Sequence, residues 1–215
     1  MKNILTLIVV LAVLVGGVVY VVATAQKNTQ TVVNTTTNDI PATATPAPDQ
    51  FISASPDTSA LRAGGSSHLD SQGVYSFLYP NDYTLDSQAG DPYTRISKRG
   101  ATQQGQTEIY DGVLIVFESI ELKGQSLEEW VDDRIQQAVD NGTPEITAPK
   151  KATTLSSYPG FTYQTGGFGS AKYLIVQKDA GSPHAVSISY LVADPENKNY
   201  QAEVDAVLLT LELLK

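Results

Sequence analysis

The stretch GVYSFLYPNDYTLD, Gly73 to Asp86, decides how this chain is read. Tyr75, Phe77 and Tyr79 alternate with smaller or polar residues, which places the three rings on one face of a β-strand. Pro80-Asn81-Asp82 interrupts the alternation with turn chemistry, and a second extended run follows. The same period of two recurs downstream. GVLIVFESI sets Val113, Ile115 and Phe117 opposite Leu114 and Val116. GFTYQT contributes Phe161 and Tyr163, and AKYLIVQK contributes Tyr173 and Ile175. HAVSISYLVA alternates Val186, Ile188, Tyr190 and Val192 with Ser187 and Ser189. Strands of this kind suit an antiparallel sheet with at least one partly solvated face.

Two segments change to helical spacing. In GQSLEEWVDDRIQQAVDNGTP, Ser126 and Glu129 form the sequence signature of a capping box. Leu127, Trp130, Val131, Ile135, Ala138 and Val139 line one face, and Asn141-Gly142 followed by Pro144 ends the helix. A second helix is expected to open at Asp194-Pro195 and to bury Tyr200, Val204, Val207, Leu208 and Leu211. Its tail, TLELLK, has the pattern of a short last strand. Strands, helix, strands, helix is the order of an α+β domain with helices set against an antiparallel sheet.

The first third of the chain is of a different character. Ile4 to Ala25, ILTLIVVLAVLVGGVVYVVATA, carries no charge and is long enough to cross a hydrocarbon layer of ~30 Å. An uncleaved membrane anchor and a secretory signal sequence both fit. The apolar run exceeds the ~7–15 residues of a removable signal, which favours the anchor. Ala23-Thr24-Ala25 fits a small-x-small cleavage site, and cleavage after it would release the chain. Either route exports the remainder, so the expected location is the cell membrane with the C-terminal domain extracytoplasmic. From residue 26 to residue 67 Thr, Asn, Ser, Ala and Pro dominate, and the segment reads as a disordered linker. It includes the glycosylation sequon Asn34-Thr35-Thr36. The expected division is therefore 1–25 anchor or signal, 26–67 linker, and 68–215 folded domain.

Composition removes several function classes. With no cysteine there is neither a disulfide framework nor a thiolate metal site. A net charge of -9 argues against nucleic acid as a partner, since such binding draws on a positive surface. Of the two histidines, His68 sits at the linker boundary and His184 follows Pro183 at a hairpin, and neither accompanies a nucleophile elbow. TGGFGSAK, Thr165 to Lys172, lacks the spacing of a phosphate loop and reads as a glycine-rich hairpin; Asp111-Gly112 reads as a turn or bulge ahead of a strand. Asp82, Asp86 and Asp91 fall in one loop-rich region and are the candidate oxygen ligands for a hard cation such as Ca²⁺, although no EF-hand loop is present. Glu128, Glu129, Asp132 and Asp133 complement the dipole of their helix. No cofactor is called for apart from this Ca²⁺ alternative.

Taken in order, GVYSFLYPNDYTL, DGVLIVFES, GQSLEEWVDDRI and the series from SSYPGFTYQTGGFG to DPENKNYQAEVDAVLLTLEL resemble a PsbP-like domain over about residues 69 to 215. The resemblance implies a central antiparallel sheet flanked by helices, an α/β/α sandwich. PsbP itself helps photosystem II retain calcium and chloride. That role is not carried over, because Tyr83 stands where the family usually has tryptophan and an apolar segment with a linker replaces a thylakoid signal. The expectation is a membrane-tethered, extracytoplasmic, non-enzymatic module that binds a cell-envelope protein. The alternative is a Ca²⁺-dependent ligand-binding or hydrolytic envelope domain.

Overall fold

The structure is a computed structural model, and it describes residues 49–52, 56–103, 108–142, 145–166 and 170–215. The apolar run Ile4–Ala25, the linker up to Pro48, the Asn34 sequon, Pro144 and the tip of the glycine-rich hairpin at 167–169 lie outside the described residues. Among the described residues no helix is long and apolar enough to cross a membrane.

Alternation along each strand sorts the apolar residues onto two faces of one large sheet. Its members are β1 (Asp49–Gln50), β4 (Thr84–Ser87), β5 (Tyr93–Arg99), β6 (Gly112–Glu121), β7 (Ile146–Leu155), β8 (Tyr158–Thr165), β9 (Ala171–Gln177) and β10 (His184–Ala193), in the spatial order β1-β7-β8-β9-β10-β6-β5-β4. Every neighbouring pair is antiparallel except β1 with β7, which is parallel. A second, antiparallel sheet has the order β11-β3-β2, from β2 (Ser66–Leu69), β3 (Tyr75–Tyr79) and β11 (Glu212–Leu213). The helices are α1 (Ser59–Gly64), α2 (Leu127–Asp140) and α3 (Tyr200–Leu208). Helix α2 packs on β8 and β9, while α3 packs against β3, β6 and β10. The architecture is thus α+β and dominated by sheet.

The opening stretch does more here than alternation alone implies. Strand β3 belongs to the small sheet and β4 to the large one, so the turn closed by the Tyr83 amide donating to the Pro80 carbonyl (3.1 Å) carries the chain between sheets. The two strands it joins do not pair. Tyr75 and Phe77 are fully buried and stack on Phe117 of β6, with the Phe77 and Phe117 ring centroids 4.2 Å apart. Each such ring contributes roughly 1.5–3 kcal/mol by leaving water, so this triad ties the two sheets together.

Four expectations are corrected. The central sheet is not wholly antiparallel, since β1 runs parallel to β7, and a second, three-stranded sheet accompanies it because β3 pairs with β2 and β11 rather than with β4. The folded region begins before residue 68: Asp49–Gln50, α1 and β2 are all regular elements. They hold because Leu61 is buried, Phe51 packs edge-on to Tyr190, and the Thr153 hydroxyl donates to the Asp49 carbonyl. The few apolar residues of that stretch suffice when they dock onto a core built by later strands. The second helix starts at Tyr200, five residues beyond Pro195. Asp194 still caps it, from a distance: its carboxylate accepts from the amides of Lys198, Asn199 and Tyr200. Last, Val139, placed on the apolar face by its spacing, is 55% exposed, and only Leu127 and Val131 of that helix are buried.

Two glycines are dictated by close approach. At Gly100 a Cβ would fall within 2.1 Å of the Asp111 carboxyl atoms, and at Gly160 within 2.1 Å of the Ile175 carbonyl oxygen. Asp111, expected to be a turn residue, is fully buried. Hydrogen bonds from the Thr102 hydroxyl and amide hold its pKa below the usual carboxylate value against the opposing effect of burial. Its position before Gly112 (φ 139°) fixes the loop between β5 and β6.

Candidate functional site

A groove of about 560 Å³ opens between two helices. One wall is α1, the other is the first turns of α3, and the β3–β4 turn closes one end. Its surface is mainly small and apolar: Ala60, Leu61, Pro80, Ala202 and Ala206. The volume lies within the ~300–1,000 Å³ of small-ligand and side-chain pockets. The wall between α1 and the turn is braced by Asn81, whose side-chain amide donates to the Gly64 carbonyl (2.8 Å) and accepts from the Ser66 hydroxyl (2.7 Å).

The polar end of the groove is Glu203, in the first turn of α3. Lys98 of β5 donates to both of its oxygens at 3.0 Å, and the Tyr83 hydroxyl donates to Oε2 at 3.0 Å. The same ammonium pairs with Asp82 at 2.9 Å and lies over the rings of Tyr83 and Tyr200. Burial works against the charge on Lys98, but the hydrogen bonds to Asp82 and Glu203 outweigh it and hold its pKa above the ordinary lysine value. Burial, then the negative charge of Glu203, pushes the Tyr83 hydroxyl well above the ordinary tyrosine value. At neutral pH the cluster therefore holds a protonated lysine and an un-ionised tyrosine.

The aspartates named as candidate ligands are engaged separately. Asp82 pairs with Lys98, Asp86 pairs with Arg95 across β4 and β5 at 3.6 Å, and Asp91 accepts from the Tyr93 amide at 2.9 Å. Among the described residues no three His, Asp or Glu side chains are arranged to hold a metal ion. His184 begins β10, and the hydroxyl of Ser182 bonds to its backbone.

His68 is placed differently from its sequence reading. It lies between the sheets, against the rings of Phe77 and Tyr75, with Nε2 3.1 Å from the Thr94 hydroxyl. A hydroxyl beside an imidazole is part of an acyl-transfer site, but a third group must orient the ring. The Oδ2 of the nearby Asp70 accepts from the amides of Gln72 and Val74 and from the Ser119 hydroxyl, and no hydrogen bond joins Asp70 to the imidazole. Burial lowers the His68 pKa, opposed by the charge of Asp70. The ring is half-buried at the margin of the inter-sheet core, and the Thr94 hydroxyl is its one side-chain hydrogen-bond partner among the described residues.

Sequence reasoning missed Lys98, Glu203, Asn81 and the small residues of α1 and α3. Lys98 and Glu203 are 105 residues apart, and no local pattern marks either.

No protein-family model matches the chain, and no curated protein matches it in sequence. A solved structure of similar arrangement is the solution structure of cyanobacterial PsbP (CyanoP) from Synechocystis sp. PCC 6803. It is 12% identical, with a TM-score of 0.44, over 69% of this chain and 91% of that one.

Proposed function

We propose that this chain is a PsbP-like domain tethered to a cell membrane through Ile4–Ala25, facing away from the cytoplasm, and that it acts as a non-enzymatic binding module for a protein of the cell envelope. The observation that carries the reading is the groove between α1 and α3, a preformed apolar concavity with one fixed carboxylate at its end. Binding sites of this composition take a ligand by shape and one or two oriented polar contacts. The uncharged N-terminal stretch and the Thr/Ser/Pro-rich linker support the tether and its reach.

A photo-crosslinking residue placed at Ala60, in full-length protein in native membranes, tests the reading. Recurrent capture of one envelope protein, lost when Ala202 is replaced by a bulky side chain, is the expected result. Protease shaving of intact cells should remove the domain. A domain protected from the protease, or a crosslink pattern no different from that of an exposed site such as Val139, overturns the proposal.

A further inference from the structure

Two features of the groove are not explained by packing. Its acidic end holds more carboxylate than ammonium, and its walls stay free of large side chains. Lys98 is shared between Asp82 and Glu203, so one ammonium serves two carboxylates. Asp57 adds a further negative group on the α1 side. Lys198 is the cation of the lining itself, and it is paired with Glu196 at 2.5 Å.

Glu203 also retains acceptor capacity. A carboxylate offers about four lone-pair sites, and the three hydrogen bonds from Lys98 and Tyr83 leave Oε1 with one contact only. Its side chain is 30% exposed. The cluster already accommodates one ammonium between carboxylates and the Tyr83 and Tyr200 rings, which shows that this environment suits a cation on an alkyl stem. An anion would share the groove with the Glu203 and Asp57 carboxylates. A purely apolar ligand would strip water from Glu203 without replacing it.

We propose that the groove between α1 and α3 receives a Lys or Arg side chain of the partner protein, its alkyl stem against Ala60, Leu61, Ala202 and Ala206 and its charged head on the Glu203 carboxylate. This rests on the reading of the chain as a protein-binding module and specifies the chemistry that module recognises. The charge complementarity just described selects the occupant, and the chain's own net charge of -9 favours encounter with a basic segment.

The test uses the full chain in detergent micelles with methyl-labelled Ala and Leu, observed by NMR. The probes are hexylammonium, hexanoate, hexan-1-ol and the peptide acetyl-Leu-Lys-Leu-amide. Hexylammonium and the peptide should shift the methyls of Ala60, Leu61, Ala202 and Ala206 saturably, and hexanoate should not. Glu203→Gln should weaken both by about fivefold, the scale of a part-exposed ion pair. Ala60→Trp, made at an exposed position that leaves Glu203 and Lys98 intact, should abolish the shifts. Equal response to hexanoate or hexan-1-ol, or unchanged affinity in Glu203→Gln, overturns the proposal. Binding of hexylammonium without the peptide overturns the protein origin of the cation and makes a small amine the ligand. Capture of a partner whose contact segment contains no Lys or Arg removes this inference and leaves the module reading standing. A domain facing the cytoplasm removes the module reading and leaves the cation result standing.

Discussion

Helices α2 and α3 lie on opposite faces of the same sheet and are held by different physics. Helix α2 carries its own instructions: the Ser126 hydroxyl accepts from the Glu129 amide while the Glu129 carboxylate accepts from the Ser126 amide, and Glu128 and Glu129 face the positive end of the dipole. Yet only two of its fourteen residues, Leu127 and Val131, are buried. Helix α3 has five buried residues out of nine, and its N-cap Asn199 sits in the left-handed region with no side-chain cap bond. Asp194 supplies the missing acceptors across a loop. A helix that buries little must be stabilised locally, whereas one that fills a core is ordered by what it packs against. The candidate site belongs to the second kind, because Glu203 is aimed by α3 and α3 is placed by the core.

The largest expected effect lies on the α3 side. Phe77→Ala removes a ring stacked on Phe117 between the two sheets, and equilibrium denaturation should register a loss of about 3–5 kcal/mol. A loss below about 1 kcal/mol would mean that the small sheet is not held by this stack. On the α2 side, Ser126→Ala should cost about 1 kcal/mol and lower helicity by circular dichroism. If it cost as much as Phe77→Ala, the contrast between the two helices would fail.

Acidification probes the inter-sheet core through His68. Burial places its folded pKa below the ordinary value of 6.5, so the native state holds fewer protons than the unfolded chain between those two values. Stability from this residue is present above pH 6.5 and is lost as pH falls through that value towards the folded pKa. Melting temperatures taken from about pH 7.5 to about pH 5 should fall more in the native chain than in His68→Gln. Parallel curves would remove His68 from the core's pH response. The smallest effect is expected at the exposed end of α2: Val139→Lys should change stability by no more than about 0.5 kcal/mol. A larger loss would point to a contact covering that face.

Much of the architecture was legible because alternation is a backbone property. Tyr75, Phe77, Val113, Ile115, Phe117, Val186 and Ile188 are all buried as their spacing indicates, and TLELLK supplies the short last strand β11. The capping box of α2 is equally local and equally well read. The overreach at Val139 has a physical cause: periodicity shows which face of a helix is apolar, not which of its residues a neighbouring element covers. The site was illegible for a related reason. Lys98, Asp82, Tyr83 and Glu203 come from a strand, a turn and a distant helix, and each looks like a surface residue in its own segment. The reverse holds for Asp82, Asp86 and Asp91, which are close in sequence and take separate partners once β4 pairs with β5.

Sequence by itself determined most of the strands beyond residue 73, the capped start of α2, which side chains of those strands turn inward, and that the chain carries an uncharged N-terminal stretch and a net negative charge. Only the tertiary structure decided that β3 and β4 part into different sheets, that residues 49–67 contribute regular elements, and that a lysine and a glutamate far apart in the chain meet beside a groove. Local patterns follow from the fixed periods of the backbone. Pairings between distant segments follow from the packing of whole faces, a property of no single stretch.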